Sequence, residues 1–106
     1  KEIATLKSDI QRWKREKQQL EMQAMEKRQK YNKHKKFTSN WINIRKEQGI
    51  DENQLRGLMK AQEDTLGRMW SDFDKSNQKI NELENILWGA NNRLARLEQE
   101  GRNRNL

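Results

Sequence analysis

The chain reads as all-α: a long antiparallel coiled-coil helical hairpin, with dimerisation into a four-helix bundle as the expected next level of assembly. Three observations predict this. Of its 106 residues, 37% are charged and only 31% hydrophobic, too few apolar side chains for an ordinary globular core. Pro, Cys and Val are all absent, so the chain lacks proline punctuation and the β-branched residue that strands use most. Apolar residues recur at heptad spacing on both sides of one turn signal.

The first long helix is placed over 1–48. Its seam runs through Ile3, Leu6, Ile10, Trp13, Lys17, Leu20, Ala24, Lys27, Tyr31 and His34, seven of the ten being apolar or aromatic. The seam then shifts, with Phe37, Trp41 and Ile44 continuing it out of phase, a spacing that locally overwinds a coil. A break near 37–40 is the alternative to a continuous helix, with Ser39 or Asn40 as cap of a short helix to Gln48.

The turn is placed at 49–51. Gly49 suits the left-handed position just past a helix, and Asp51 with Gln54 three residues on reads as an N-cap with its capping-box partner. A short connection of this kind makes the flanking helices antiparallel neighbours. A parallel dimer with a joint at Gly49 is the competing arrangement, but a continuous rod has no use for a glycine followed by a fresh cap.

The second helix is placed over 52–100, followed by a flexible tail at 101–106 after Gly101. Steps of four and three from Leu55 land on Met59, Gln62, Leu66, Met69, Phe73, Ser76, Ile80, Leu83, Leu87, Ala90, Leu94 and Leu97, and eleven of these thirteen positions are apolar. With the turn near Gly49, Lys17 faces Leu83 and Lys27 faces Phe73, and each lysine must snorkel its ammonium outward over its stem. Lys17, Lys27, Gln62 and Ser76 are candidate register pins, since a polar seam residue excludes other alignments at some cost in stability. About a hundred helical residues with scattered tryptophans also weakly resemble a spectrin-type three-helix repeat, through Trp13 and through Leu66, Trp70 and Phe73. That resemblance implies a structural repeat and a second loop, for which 83–97 carries no signal.

Charge is unequal along the chain, whose net charge is +7. Residues 1–48 carry +8 and residues 49–106 carry −1. Lys27, Arg28, Lys30, Lys33, Lys35 and Lys36 stand in a run without an acidic residue, with Tyr31 and Phe37 in or beside it. Such a run is a candidate phosphate-binding stripe for nucleic acid, the aromatics offering faces for unpaired bases, or else a solvated helix face. No zinc-finger, RNP or helix-turn-helix spacing accompanies it, so sequence-specific readout has no carrier.

Trp70, Ile86 and Trp88 widen the apolar stripe beyond two positions per heptad. They are candidate protein-interface residues, with Trp70 leaning toward the core and Ile86 with Trp88 forming one patch. The predicted function is a protein-protein interaction or assembly module: a scaffold, arm or docking element that self-associates, with nucleic-acid binding as the alternative.

An enzyme is not expected. Cysteine is absent and His34 is the only histidine, so neither a thiolate, a metal site nor a cofactor is expected. The carboxylate pairs Glu63/Asp64 and Asp72/Asp74 fall among exposed positions rather than in a desolvated cleft. The longest apolar run, Ile86 to Trp88, is far short of the roughly 20 residues that span a bilayer. The start at Lys1, without methionine or signal region, reads as a fragment of a longer protein, and the lack of cysteine is compatible with a reducing interior.

Overall fold

The computed structural model describes residues 2–104. It consists of two helices, α1 (Glu2–Glu47) and α2 (Glu52–Arg104), which form a helical hairpin with no strand among the described residues. The chain divides into two compact units: residues 1–22 with 76–106, and residues 23–75.

The second unit contains the turn, and its chemistry is local. Gly49 has φ of +80°, the only positive φ among the described residues. Its N–H donates to the Lys46 carbonyl at 3.2 Å, and the Ile50 N–H donates to the Arg45 carbonyl at 3.3 Å. This pair of bonds is the Schellman closure, which satisfies carbonyls the helix end would otherwise leave open. At the start of α2 the Leu55 N–H donates to the Asp51 carbonyl at 2.9 Å, placing Asp51 at the N-cap. Ile50 lines a shallow cavity beside the turn with Trp41, Arg45 and Leu58.

Helix α1 passes through 37–40 without a break. Of the two candidate caps, Ser39 accepts a hydrogen bond from the Gln62 amide at 3.2 Å, and beside it the Thr38 hydroxyl donates to the His34 carbonyl at 2.7 Å. The seam does not move onto Phe37 and Ile44, which are exposed: Thr38 and Trp41 keep the original phase, and Ile42, one residue beyond it, is the buried residue of this stretch. Thr38 tolerates this covered position because its hydroxyl is satisfied within its own helix.

In the same unit Ala24, Ile42 and Phe73 are buried, and Tyr31, Trp70 and Phe73 form an aromatic cluster. Lys27 reaches Asp72 at 3.3 Å, one residue from the Phe73 position it was expected to face. Near the turn Leu58 is partly covered and Met59 exposed, so the seam leaves the strict heptad there.

In the unit formed by 1–22 and 76–106, Ile10, Leu87 and Ala90 form the buried cluster, with Leu6, Trp13 and Leu94 packed against it. Lys17 snorkels to Glu84 at 3.3 Å, again one residue from its expected partner position. Lys7 reaches Glu98 at 3.6 Å, and Arg93 pairs with Glu2. Ser76 is buried at 5% exposure, the one polar residue so placed among those described, and no buried side-chain polar atom lacks a partner.

Two expectations need correction. The helix does not end at Gly101 but runs to Arg104, because Gly101 does not take the left-handed conformation that would close it. Residues 105–106 of the expected tail lie outside the described residues. The three-helix repeat fails because 83–97 is uninterrupted helix, leaving no second turn. No helix among the described residues is long and apolar enough to cross a membrane.

Candidate functional site

The basic run 27–36 lies on one continuous stretch of α1, and helical geometry divides it. Lys27 and Arg28 face the hairpin. Lys27 is bound to Asp72, and the Arg28 guanidinium lies 5.7 Å from the Phe73 ring centroid and 5.9 Å from that of Trp70. These two cations serve intramolecular packing, each holding an edge of the aromatic cluster. Tyr31 is likewise absorbed, its ring centroid 5.2 Å from that of Trp70.

Lys30, Lys33 and Lys36 are exposed, and steps of three and four residues keep them along the outer side of α1 with Phe37, whose ring is 72% exposed. Lys35 is exposed at the edge, lining a shallow groove with Tyr31, Glu63, Leu66, Gly67 and Trp70. Five of the six predicted phosphate-binding residues are thus exposed, Arg28 among them although its guanidinium lies over the aromatic cluster, and the stacking aromatic available to a ligand is Phe37 rather than Tyr31.

Among the predicted interface residues, Trp70 is half-exposed, an edge residue resting on Tyr31 and Phe73 rather than a core one. Ile86 and Trp88 are not one patch. Two residues apart on a helix means about 200° of rotation, so they flank the seam on opposite sides. Ile86 lines a groove of about 700 Å³ with Leu6, Asp9, Trp13, Gly89 and Ala90. Trp88, 72% exposed, stands on the other flank beside Lys14, Lys17 and Gln18. Sequence reasoning missed this groove, although Trp13 and Ala90 on the seam with Gly89 one step off it were the signal that could have located it.

No group of three metal-ligating side chains occurs among the described residues. Glu63 and Asp64 are exposed, and Asp72 pairs with Lys27. Compared with known protein families, curated proteins and solved structures, the chain matches none.

Proposed function

We propose that this helical hairpin is an assembly module, joining protein chains through its flanks. The observation that carries the reading is the indole of Trp88, 72% exposed on a flank opposite an open groove in which Leu6, Trp13 and Ile86 stand beside Glu2, Asp9 and Arg93. Large apolar side chains in that state favour contact with another protein surface, because each buries 150–250 Å² on association. The fold adds a second reason: none of its large side chains is fully buried among the described residues, so a further layer would complete the core.

Light scattering and sedimentation over a concentration series test the reading, with mass above the 12.9 kDa monomer as the expected outcome. A monomer at every concentration, in which a variant carrying Trp88 as its sole tryptophan emits as a fully solvated indole, overturns it for self-assembly.

One observation favours a second reading, nucleic-acid binding: Lys30, Lys33, Lys35 and Lys36 are exposed together with Phe37. Changing the four lysines to Gln then weakens RNA or DNA binding, and the salt slope falls by roughly 0.7 to 0.9 for each phosphate no longer neutralised. Equal binding by parent and variant leaves these lysines as a solvated face.

A further inference from the structure

We infer that one flank of the turn unit is a docking surface for an anionic lipid bilayer, where Lys30, Lys33 and Lys36 meet the headgroups while Phe37 and Ile44 enter the hydrocarbon boundary. The surface lies wholly within residues 23–75, so the inference is independent of the Trp88 flank.

Its apolar part is set by helical spacing. Phe37, Trp41 and Ile44 follow one another by four and three residues, which places them on one side of α1. Phe37 is 72% and Ile44 53% exposed, although both side chains are large and apolar. Trp41 continues the patch across the hairpin, since it lines a shallow cavity with Ile50 and Leu58. No carboxylate lines that cavity, and its one charged residue is Arg45, whose guanidinium lies 5.0 Å from the Trp41 ring centroid.

Its charge is of one sign. From Lys27 to Lys46 the chain has no acidic residue, Glu26 and Glu47 standing just outside either end. Lys30 and Lys33 precede Phe37 by seven and four residues and so share its side of α1, with Lys36, three beyond Lys33, at the border. All three are exposed, and none has a side-chain partner among the described residues. Lys27 in the same unit is met by Asp72, whereas these three are left for an anion from outside the chain.

The combination selects the partner. A nucleic acid supplies phosphates and a base face for Phe37, but nothing for the aliphatic side chains of Ile44, Ile50 and Leu58. A protein surface supplies apolar contact, but covering the three lysines is costly unless it brings a carboxylate to each. An anionic bilayer supplies both by depth: negative headgroups at the level that lysines reach by snorkelling, and hydrocarbon just beneath for the apolar tips. A tryptophan beside a cation suits that boundary, because its ring is amphipathic. The flank lies on such a surface and does not cross it, in keeping with helices too polar to span.

Cosedimentation of the full chain with vesicles decides the matter. Binding is expected to vesicles of equimolar phosphatidylserine and phosphatidylcholine, not to phosphatidylcholine alone, and it should weaken as salt rises. Each of Lys30→Gln, Lys33→Gln and Lys36→Gln should lower it about fivefold. Phe37→Ser combined with Ile44→Ser should lower it at least about tenfold, with helicity by circular dichroism retained because both side chains are already exposed. Since the chain has no cysteine, Ile44→Cys gives a single site for an environment-sensitive dye. Its emission should shift to the blue on anionic vesicles, while a dye at Asn32→Cys, five residues before Phe37 and about 140° round the helix, should not.

Binding that the Phe37 and Ile44 variant leaves unchanged, with the dye at 44 still in water, means adsorption by charge alone and overturns the inference. Equal binding to neutral vesicles overturns it as well. Absence of vesicle binding overturns it too, and if a single-stranded oligonucleotide is bound instead, loss of that binding in the lysine variants assigns the stripe to nucleic acid. Should the double variant lose helicity, the dyes at 44 and 32 supply the same decision on an intact fold.

Discussion

The two units are held by different kinds of seam. In the unit of 1–22 and 76–106 the centre is aliphatic, Ile10 against Leu87 and Ala90, with ion pairs along the edges. In the unit of 23–75 it is aromatic and polar: Tyr31, Trp70 and Phe73 in contact, then Thr38, Ser39 and Gln62 carrying hydrogen bonds toward the turn. An aliphatic seam gains free energy from area and is indifferent to which methyl meets which, so alignment must come from elsewhere. A seam with directed bonds gains less but fails in any other register. We take the difference as a division to be tested: the neutral Gln62 to Ser39 bond and the aromatic contacts of the turn unit against the apolar area of the other unit, whose seam also holds the buried Ser76 and ion pairs at its edges.

Truncating one buried large side chain in each unit puts that division under most strain. Phe73→Ala removes the ring on which both Trp70 and Arg28 rest, and is expected to cost about 3 to 5 kcal/mol in urea unfolding. Leu87→Ala in the aliphatic cluster is expected to cost about 2 to 5 kcal/mol, toward the lower end because its neighbour Ala90 leaves a shallow site that water can reach. Equal losses would show that the aromatic cluster holds no more than its area. A second test addresses the turn: Gly49→Ala forces a Cβ into φ of +80° and is expected to cost about 1 to 2 kcal/mol, with helicity away from the turn intact. An unchanged midpoint would mean that the Schellman closure does not hold the hairpin.

How far the sequence disclosed this depends on what kind of residue occupied the seam. From Ile3 to His34 every seam position read from the heptad is covered, and from Leu55 to Leu97 all but Met59 are. Apolar spacing is a sufficient signal there because covered residues are mostly apolar or long enough to snorkel, as Lys17 and Lys27 do. The reading lost its phase at 37–44, where Phe37 and Ile44 are outside and Thr38 and Ser39 inside. Nothing in apolarity alone reveals that Thr38 satisfies itself on the His34 carbonyl or that Ser39 meets Gln62 across the seam. Gly49 and Asp51 were legible for the opposite reason, since their roles are set by backbone conformation within a few residues. For the candidate site the run 27–36 was visible as composition, but its division into Lys27 and Arg28, engaged with Asp72, Trp70 and Phe73, and outward Lys30, Lys33 and Lys36 needs the partner helix. The opposite flanks of Ile86 and Trp88 follow from two residues of helical rotation, and the groove follows only once α1 is laid beside Gly89.

The Ser39 and Gln62 pair tests the polar side of the comparison at moderate amplitude. A double-mutant cycle through Ser39→Ala and Gln62→Ala is expected to return a coupling of about 0.5 to 1.5 kcal/mol, the net worth of one partly buried neutral hydrogen bond. The double variant should also loosen alignment, seen as a wider distribution of distances between spin labels placed on 36 and 65. Zero coupling with an unaltered distribution would remove the pair from the role of register pin.

The smallest effect belongs to Lys17, and its sign is the informative part. Its side chain is covered by the seam while its ammonium reaches Glu84 at 3.3 Å and Glu21 at 3.6 Å, both on carboxylates about half exposed to water. Ion pairs so open to solvent contribute little, within about 1 kcal/mol before screening by salt. The covered stem, by contrast, could be matched by an unbranched apolar side chain without distortion. Lys17→Met therefore exchanges a weak ion pair for apolar cover at an aliphatic seam, and stability in urea should stay level or rise by up to about 1 kcal/mol. Its dependence on salt should flatten, because the screened part of the interaction has gone. Labels on 14 and 87 should keep their separation if alignment is set without Lys17. A loss of stability above about 1 kcal/mol, or a shifted separation, would make Lys17 a register pin of the aliphatic seam.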